Sequence, residues 1–175
     1  VHLPWRDVAP GDGPAIPTSV TAAEAAELAR LAEDRTVLEV GSAYGYSAVV
    51  MALTGASVTA VDPHAWIGGS REAMAANLAA YGVAARVEVI AEPSQQALPR
   101  LAEEGRRFGL VFIDGDHSAE GARHDLRWAL QLLDAGGTLA VHDYLEDCCC
   151  PGVRAAADGL LDGGWVTDTL LTVVP

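Results

Sequence analysis

The chain has 175 residues, half of them hydrophobic and a fifth charged, which suits one globular domain with a full core. Its formal charge is −13 and all 11 basic residues are arginine; this argues against nucleic acid or an anionic membrane as a partner and removes any lysine base. No apolar run reaches the roughly 18 residues of a membrane helix, and the residues after Val1 show no secretory-signal pattern, so none is expected in this stretch.

Residues 1–20 carry four of the nine prolines and little periodicity; they read as an irregular arm laid over a domain spanning 21–175. Thr21 and Glu24 form a capping-box pattern that starts a helix running to about Glu33. Thr36–Val40 is strand-like and ends at Gly41; a helix follows from Ser47 to Leu53. A second strand, Ser57–Val61, ends at Asp62, and a helix is expected over 70–81. Arg86–Ile90 is a third strand, and Pro93 sits where the next helix can begin, reaching about Glu103. Leu110–Ile113 is the fourth strand. Ala122, Leu126, Ala129, Leu130 and Leu133 then share one helical face. Gly136-Gly137 breaks that helix before a fifth strand, Thr138–Val141. A last helix over about 152–162 precedes two short strands, 165–167 and 169–174. The alternation predicts an α/β, Rossmann-like doubly wound sheet of seven strands, mostly parallel with an antiparallel last strand.

In such sheets ligands bind outside the carboxyl ends of the strands. Glu39 and Gly41 follow the first strand and Asp62 the second; Ser94-Gln95 follow the third. The fourth leads to Asp114, Asp116 and His117, and the fifth to His142-Asp143. One polar end could be a solvated turn, but five at one edge point to a site. The three adjacent cysteines, Cys148, Cys149 and Cys150, cannot form a disulfide framework. They are expected to be reduced thiols in the cytoplasm, packing or lining a pocket.

"VLEVGSAYGYSA" is a strand, a glycine-rich turn and a helix start, with Ala43 in the place of the middle glycine of a dinucleotide fingerprint. Glu39 discriminates between cofactors. A carboxylate two residues before the turn would repel a pyrophosphate and attract a ligand with an amino group and a sulfonium. Asp62, 23 residues beyond Glu39, stands where an acid can accept ribose hydroxyls.

"VLEVGSAYGYSAVVMA" resembles the cofactor motif of class I S-adenosylmethionine (SAM) methyltransferases, closest to the catechol O-methyltransferase type. "FIDGDHSAEGARHDL", "LLDAGGTLAVHDY" and "PGVRAAADGLL" resemble a small bacterial family that includes macrocin-type sugar and cephalosporin-cluster methyltransferases. The resemblance covers roughly residues 20–175. It implies that Glu39 and Gly41 lie near the methionine part of SAM, with Ser42, Tyr44 and Ser47 close by. Asp62 would hold the ribose, Ser94 and Gln95 would edge the adenine, and Asp114 would border the cofactor. The family's divalent metal, Mg²⁺ or a similar cation, would sit on Asp114 and Asp143. His142 stands where several relatives have an acid, which leaves the third ligand open. His117 falls at the place of the catechol enzymes' lysine base, and Asp116 matches the base of the sugar enzymes.

The reading is a SAM-dependent, metal-assisted O-methyltransferase acting on a small-molecule hydroxyl of natural-product, sugar or phenolic type. A homodimer is compatible with it. The competing readings are a non-catalytic SAM-binding protein, which would not need Asp114, Asp116 and Asp143 together, and an NAD-dependent oxidoreductase, which Glu39 disfavours.

Overall fold

The computed structural model describes residues 5–145 and 150–175; Cys148 and Cys149 lie outside the described residues. Nine strands, six α-helices and one short 3-10 helix (Ala84–Arg86) are described. The arm is not irregular throughout. It forms a two-stranded antiparallel hairpin of β1 (Arg6–Val8) and β2 (Ile16–Thr18). Ile16 is fully buried, so an apolar side chain inside the proline-rich stretch anchors the arm to the core.

Helix α1 (Ala22–Ala32) starts at the expected capping box: Glu24 N–H donates to the Thr21 hydroxyl at 3.1 Å, and Thr21 N–H donates to the Glu24 carboxylate at 2.8 Å. Then follow β3 (Thr36–Val40), α2 (Tyr46–Leu53), β4 (Ser57–Val61), α3 (Ser70–Ala80), β5 (Val87–Ile90), α4 (Ser94–Glu103), β6 (Phe108–Ile113), α5 (Ala119–Leu132), β7 (Leu133–Val141), α6 (Pro151–Asp158), β8 (Trp165–Thr167) and β9 (Leu170–Val173). The main sheet runs β5-β4-β3-β6-β7-β9-β8. Its first five members are parallel neighbours, and β9 runs antiparallel to both β7 and β8. The predicted seven-stranded sheet with an antiparallel last strand is therefore the observed one.

Alternation along the strands divides the core. Val37, Val58, Ala60, Leu110 and Phe112 face α1, α2 and α3. Leu38, Val40, Val61, Val111, Ile113 and Leu139 face α4, α5 and α6. Being covered on both sides, the strands read as nearly continuous apolar runs.

Several boundaries differ from expectation. Pro93 is the cap before α4 rather than its first residue, where its fixed φ and lack of N–H cost the helix nothing. Leu133 does not continue the helical face. It caps α5 in extended conformation and opens β7, opposite Phe108. The Gly-Gly pair then lies within a register shift of β7 against β6, not before the strand, and Gly136 adopts φ +75° there. Helix α6 ends at Asp158, short of 162.

The strand order reverses between β3 and β6, so a crevice opens at their carboxyl ends. No described helix is long and apolar enough to cross a membrane.

Candidate active site

A cavity of about 730 Å³ opens at this reversal, lined by Gly41, Asp62, Ser94, Gln95, Asp114, Asp116 and His117 among others. Trp5 and Ser19 of the arm, and Trp66 of the loop after β4, complete its walls. Each of these elements carries its polar residue just past the last apolar strand position. A second hollow, of about 440 Å³, lies at the opposite edge and is lined by none of the residues expected at the site.

The turn after β3 is held from two sides. Gly41 takes φ +89°, and a Cβ there would meet the carbonyl oxygen of Asp114 at 2.0 Å, so only glycine lets β3 and β6 end against each other. Asp62 Oδ2 accepts the backbone N–H groups of Ser42 and Ala43 at 3.0 and 2.8 Å, and its Oδ1 accepts that of His64 at 2.6 Å. Asp62 therefore shapes the turn as well as facing the cavity.

Glu39 and Ser47 lie beneath the cavity rather than on its wall. Glu39 is fully buried; the Ser47 hydroxyl donates to its Oε1, and its Oε2 has no partner. Burial, with the charges of Asp114 and Asp62, outweighs the Ser47 hydrogen bond and raises its carboxyl pKa to about 8. An unpaired buried carboxyl oxygen one layer below the cavity suits a cationic ligand group above it. Ser42 is buried and contributes its backbone N–H. Tyr44 turns away to meet Trp5 edge-on, with ring centroids 5.6 Å apart.

Asp114, His142 and Asp143 come together, their ligand atoms within 4.8 Å of one another. His142 Nδ1 is 3.2 Å from Asp114 Oδ1 and 3.5 Å from Asp143 Oδ2, yet neither approach has hydrogen-bond geometry, and this buried nitrogen is left without a partner. Asp143 reaches the cluster by adopting φ +58°, a conformation aspartate tolerates better than most residues. Asp114 is pushed up by burial, but the His142 charge and the contact with His117 prevail and hold its carboxyl well below the usual range. Burial lowers the His142 imidazole while Asp114, Asp143 and Glu24 raise it more, to well above its ordinary value. His117 Nε2 stands 3.4 Å from both Asp114 Oδ1 and Asp143 Oδ2, and its pKa is raised chiefly by Asp114.

Asp116 is exposed at the cavity. Its Oδ1 accepts the Ser118 N–H at 2.9 Å, and its carboxylate rests over Gly121, where a Cβ would come within 2.3 Å of it. Cys150, the one described cysteine, is buried with its Sγ 3.3 Å from His117 Nδ1. Gly152 permits this, because a Cβ there would strike Ala119 N at 2.4 Å and keep α6 away from the His117 loop.

Two further residues belong to the site beyond those the strand ends pointed to. Glu24 read only as a helix cap. Its Oε2 also contacts His142 Nε2 at 3.2 Å, and its Oε1 accepts the Thr169 N–H at 2.8 Å and hydroxyl at 2.6 Å. Burial alone would raise this carboxyl, but the His142, Thr169 and Thr21 contacts lower it to about 2. Asp125, on the buried face of α5, lines the cavity floor with Oδ2 unpartnered. Burial raises its pKa against hydrogen bonds from Ser94 and His124. An acid in a buried helical position is a usable signal in hindsight.

Residues 38–144 match the family model described as a methyltransferase domain. The chain is 32% identical over 164 residues to a catechol O-methyltransferase of Mycobacterium tuberculosis, covering 85% of this chain and 71% of that protein. The crystal structure of cofactor-bound Rv0187 from MTB superposes with a TM-score of 0.68 at 29% identity, covering 79% of this chain and 67% of the other. TomG from Streptomyces achromogenes, an O-methyltransferase of tomaymycin synthesis solved with SAM, gives 0.66 at 27% identity, covering 81% and 69%. Sheet order, family match and sequence identity agree, and the chain belongs to the class I SAM-dependent methyltransferases.

Proposed function

We propose that the enzyme is an O-methyltransferase that moves the SAM methyl group onto the hydroxyl of a small molecule of natural-product, sugar or phenolic type, with a divalent cation at Asp114, His142 and Asp143. One observation carries this reading: Asp114 belongs both to the cofactor cavity and to the Asp114–His142–Asp143 cluster. A methyl donor and a cation would thus meet at one side chain. The relatives named for catechol and for tomaymycin synthesis support the acceptor class.

The residues fit both groups. The unpartnered Glu39 Oε2 beneath the cavity suits the amino group of SAM, and the unpartnered His142 Nδ1 suits a metal. Bound there, a divalent cation lowers the pKa of an acceptor hydroxyl and orients its oxygen. The chain's own groups do the rest. Glu39, Asp62, Ser94 and Gln95 hold the cofactor in register. The arm and the Trp66 loop wall the cavity where the acceptor would sit. The hydroxyl proton leaves to Asp116 or His117 as the carbon–sulfur bond breaks and the carbon–oxygen bond forms.

The test is turnover of an acceptor panel with labelled SAM, before and after EDTA. EDTA should abolish transfer and an added divalent cation should restore it. Asp114→Ala and Asp143→Ala should remove metal dependence and most turnover while S-adenosylhomocysteine still binds. An unchanged rate in EDTA with a verified acceptor would refute the metal-assisted reading.

A further inference from the structure

Two imidazoles straddle the same pair of carboxylate oxygens. His142 Nδ1 lies 3.2 Å from Asp114 Oδ1 and 3.5 Å from Asp143 Oδ2; His117 Nε2 lies 3.4 Å from each of those same atoms. The four contacts close a ring of alternating oxygen and nitrogen. Donors bound about 2.1 Å from one tetrahedral ion stand roughly 3.4 Å apart, which is the length of these four contacts. His117 joins the cluster through the shared Asp143: among the described residues the two possible ligand sets are Asp114–His142–Asp143 and His117–Asp143–Cys150.

The outer nitrogen of each ring is occupied. Glu24 Oε2 stands 3.2 Å from His142 Nε2, and Cys150 Sγ stands 3.3 Å from His117 Nδ1. A carboxylate on the far nitrogen fixes the tautomer of a metal-binding histidine and aims its other lone pair at the ion. His142 shows the result: a buried Nδ1, on a residue 1% exposed, aimed at two carboxylates without a hydrogen bond to either.

We propose that His117 and His142 complete, with Asp114 and Asp143, a two-histidine, two-aspartate centre for a transition divalent cation of the zinc type, in place of an all-oxygen magnesium site. Imidazole donors suit Zn²⁺, Co²⁺ or Fe²⁺, whereas Mg²⁺ demands octahedral oxygen and keeps its waters. The assignment rests on the metal-assisted reading above and sharpens it. It commits His117 to the metal and leaves Asp116, fixed over Gly121, to accept the proton.

The test uses purified full chain stripped with chelator and titrated with Co²⁺, followed by visible absorption. Four protein donors of this kind predict the intense band of a four-coordinate cobalt centre, saturating at one ion per chain and erased by Zn²⁺ but not by excess Mg²⁺. His117→Gln and His142→Gln should each lose the band, and Asp116→Asn should keep it. Glu24→Gln should keep the band with Zn²⁺ affinity weakened about 10–100-fold. Circular dichroism of each variant separates loss of a ligand from loss of fold, and His117→Ala, which should lose the band likewise, replaces the glutamine variant should that one not fold. A weak six-coordinate spectrum indifferent to His117→Gln would overturn this assignment while leaving an Asp114–His142–Asp143 cation site standing. No binding of Co²⁺ or Mg²⁺ at all would overturn both.

Discussion

Glu39 couples cofactor binding to pH. Its carboxyl, raised to about 8, is protonated at neutral pH, while a cationic amino group above it favours the carboxylate. Binding of S-adenosylhomocysteine should therefore release a proton below pH 8, and affinity should rise from pH 6 to 8. Calorimetry in buffers of different ionisation enthalpy measures this, and Glu39→Gln should flatten the dependence. The sign for stability is opposite. An acid whose folded pKa lies above its unfolded value loses folding free energy as pH climbs between the two. Cofactor-free Glu39→Gln should thus melt above wild type at pH 8–9 and with it near pH 4. Asp62→Ala should weaken S-adenosylhomocysteine by roughly 1–3 kcal/mol, the range for a lost charged hydrogen-bond partner, and also loosen the turn whose N–H groups it accepts.

Among the elements, β3, β4 and β6 and their terminal acids were legible because a doubly covered strand is a run of apolar residues that ends abruptly in a polar one. The hairpin of the arm, the start of β7 and the role of Glu24 were not. Each depends on partners far along the chain: Glu24 meets Thr169 across 145 positions, and Leu133 is drawn into β7 by Phe108. Glu24 pins α1, the entry to β9 and His142 together with a carboxyl lowered to about 2. Its contribution is present above pH 4.5 and lost as pH falls toward 2. Glu24→Ala removes the partner of His142 Nε2 and of Thr169 while Asp114 and Asp143 still face the imidazole, a loss of about 1–3 kcal/mol, and thermal melting at pH 7 should drop by roughly 3–10 °C. At the start of α5, a Cβ on Gly121 would press on the whole Asp116 side chain, its Cβ included, at 2.3–2.5 Å. Gly121→Ala should displace that carboxylate and lower turnover, by up to the ~10²–10⁴-fold of a lost general base, and S-adenosylhomocysteine affinity measured beside it separates this loss from a loss of fold.

At the scale of the whole molecule, 24 acids face 11 arginines. Such an excess repels itself across the surface, and salt screens it within a Debye length of about 10 Å at 0.1 M. The melting temperature, followed by scanning fluorimetry, should climb as NaCl rises from 20 to 200 mM. Heavy acidity was legible in composition. The acceptor was not, because the cavity walls come from Trp5, Ser19 and Trp66, whose approach to the strand ends no local pattern announces.

Gly41 packs directly on the main-chain carbonyl of Asp114. The turn beside the cofactor cavity and the residue that begins the proposed cation site are thereby one mechanical joint. Whatever tightens one end tightens the other, so donor and cation should each raise the affinity for the other by the same factor, as linkage requires. On the proposed metal-assisted reading the methyl donor and the cation form a single coupled pair, and an enzyme half-loaded with either would hold the other's seat ready.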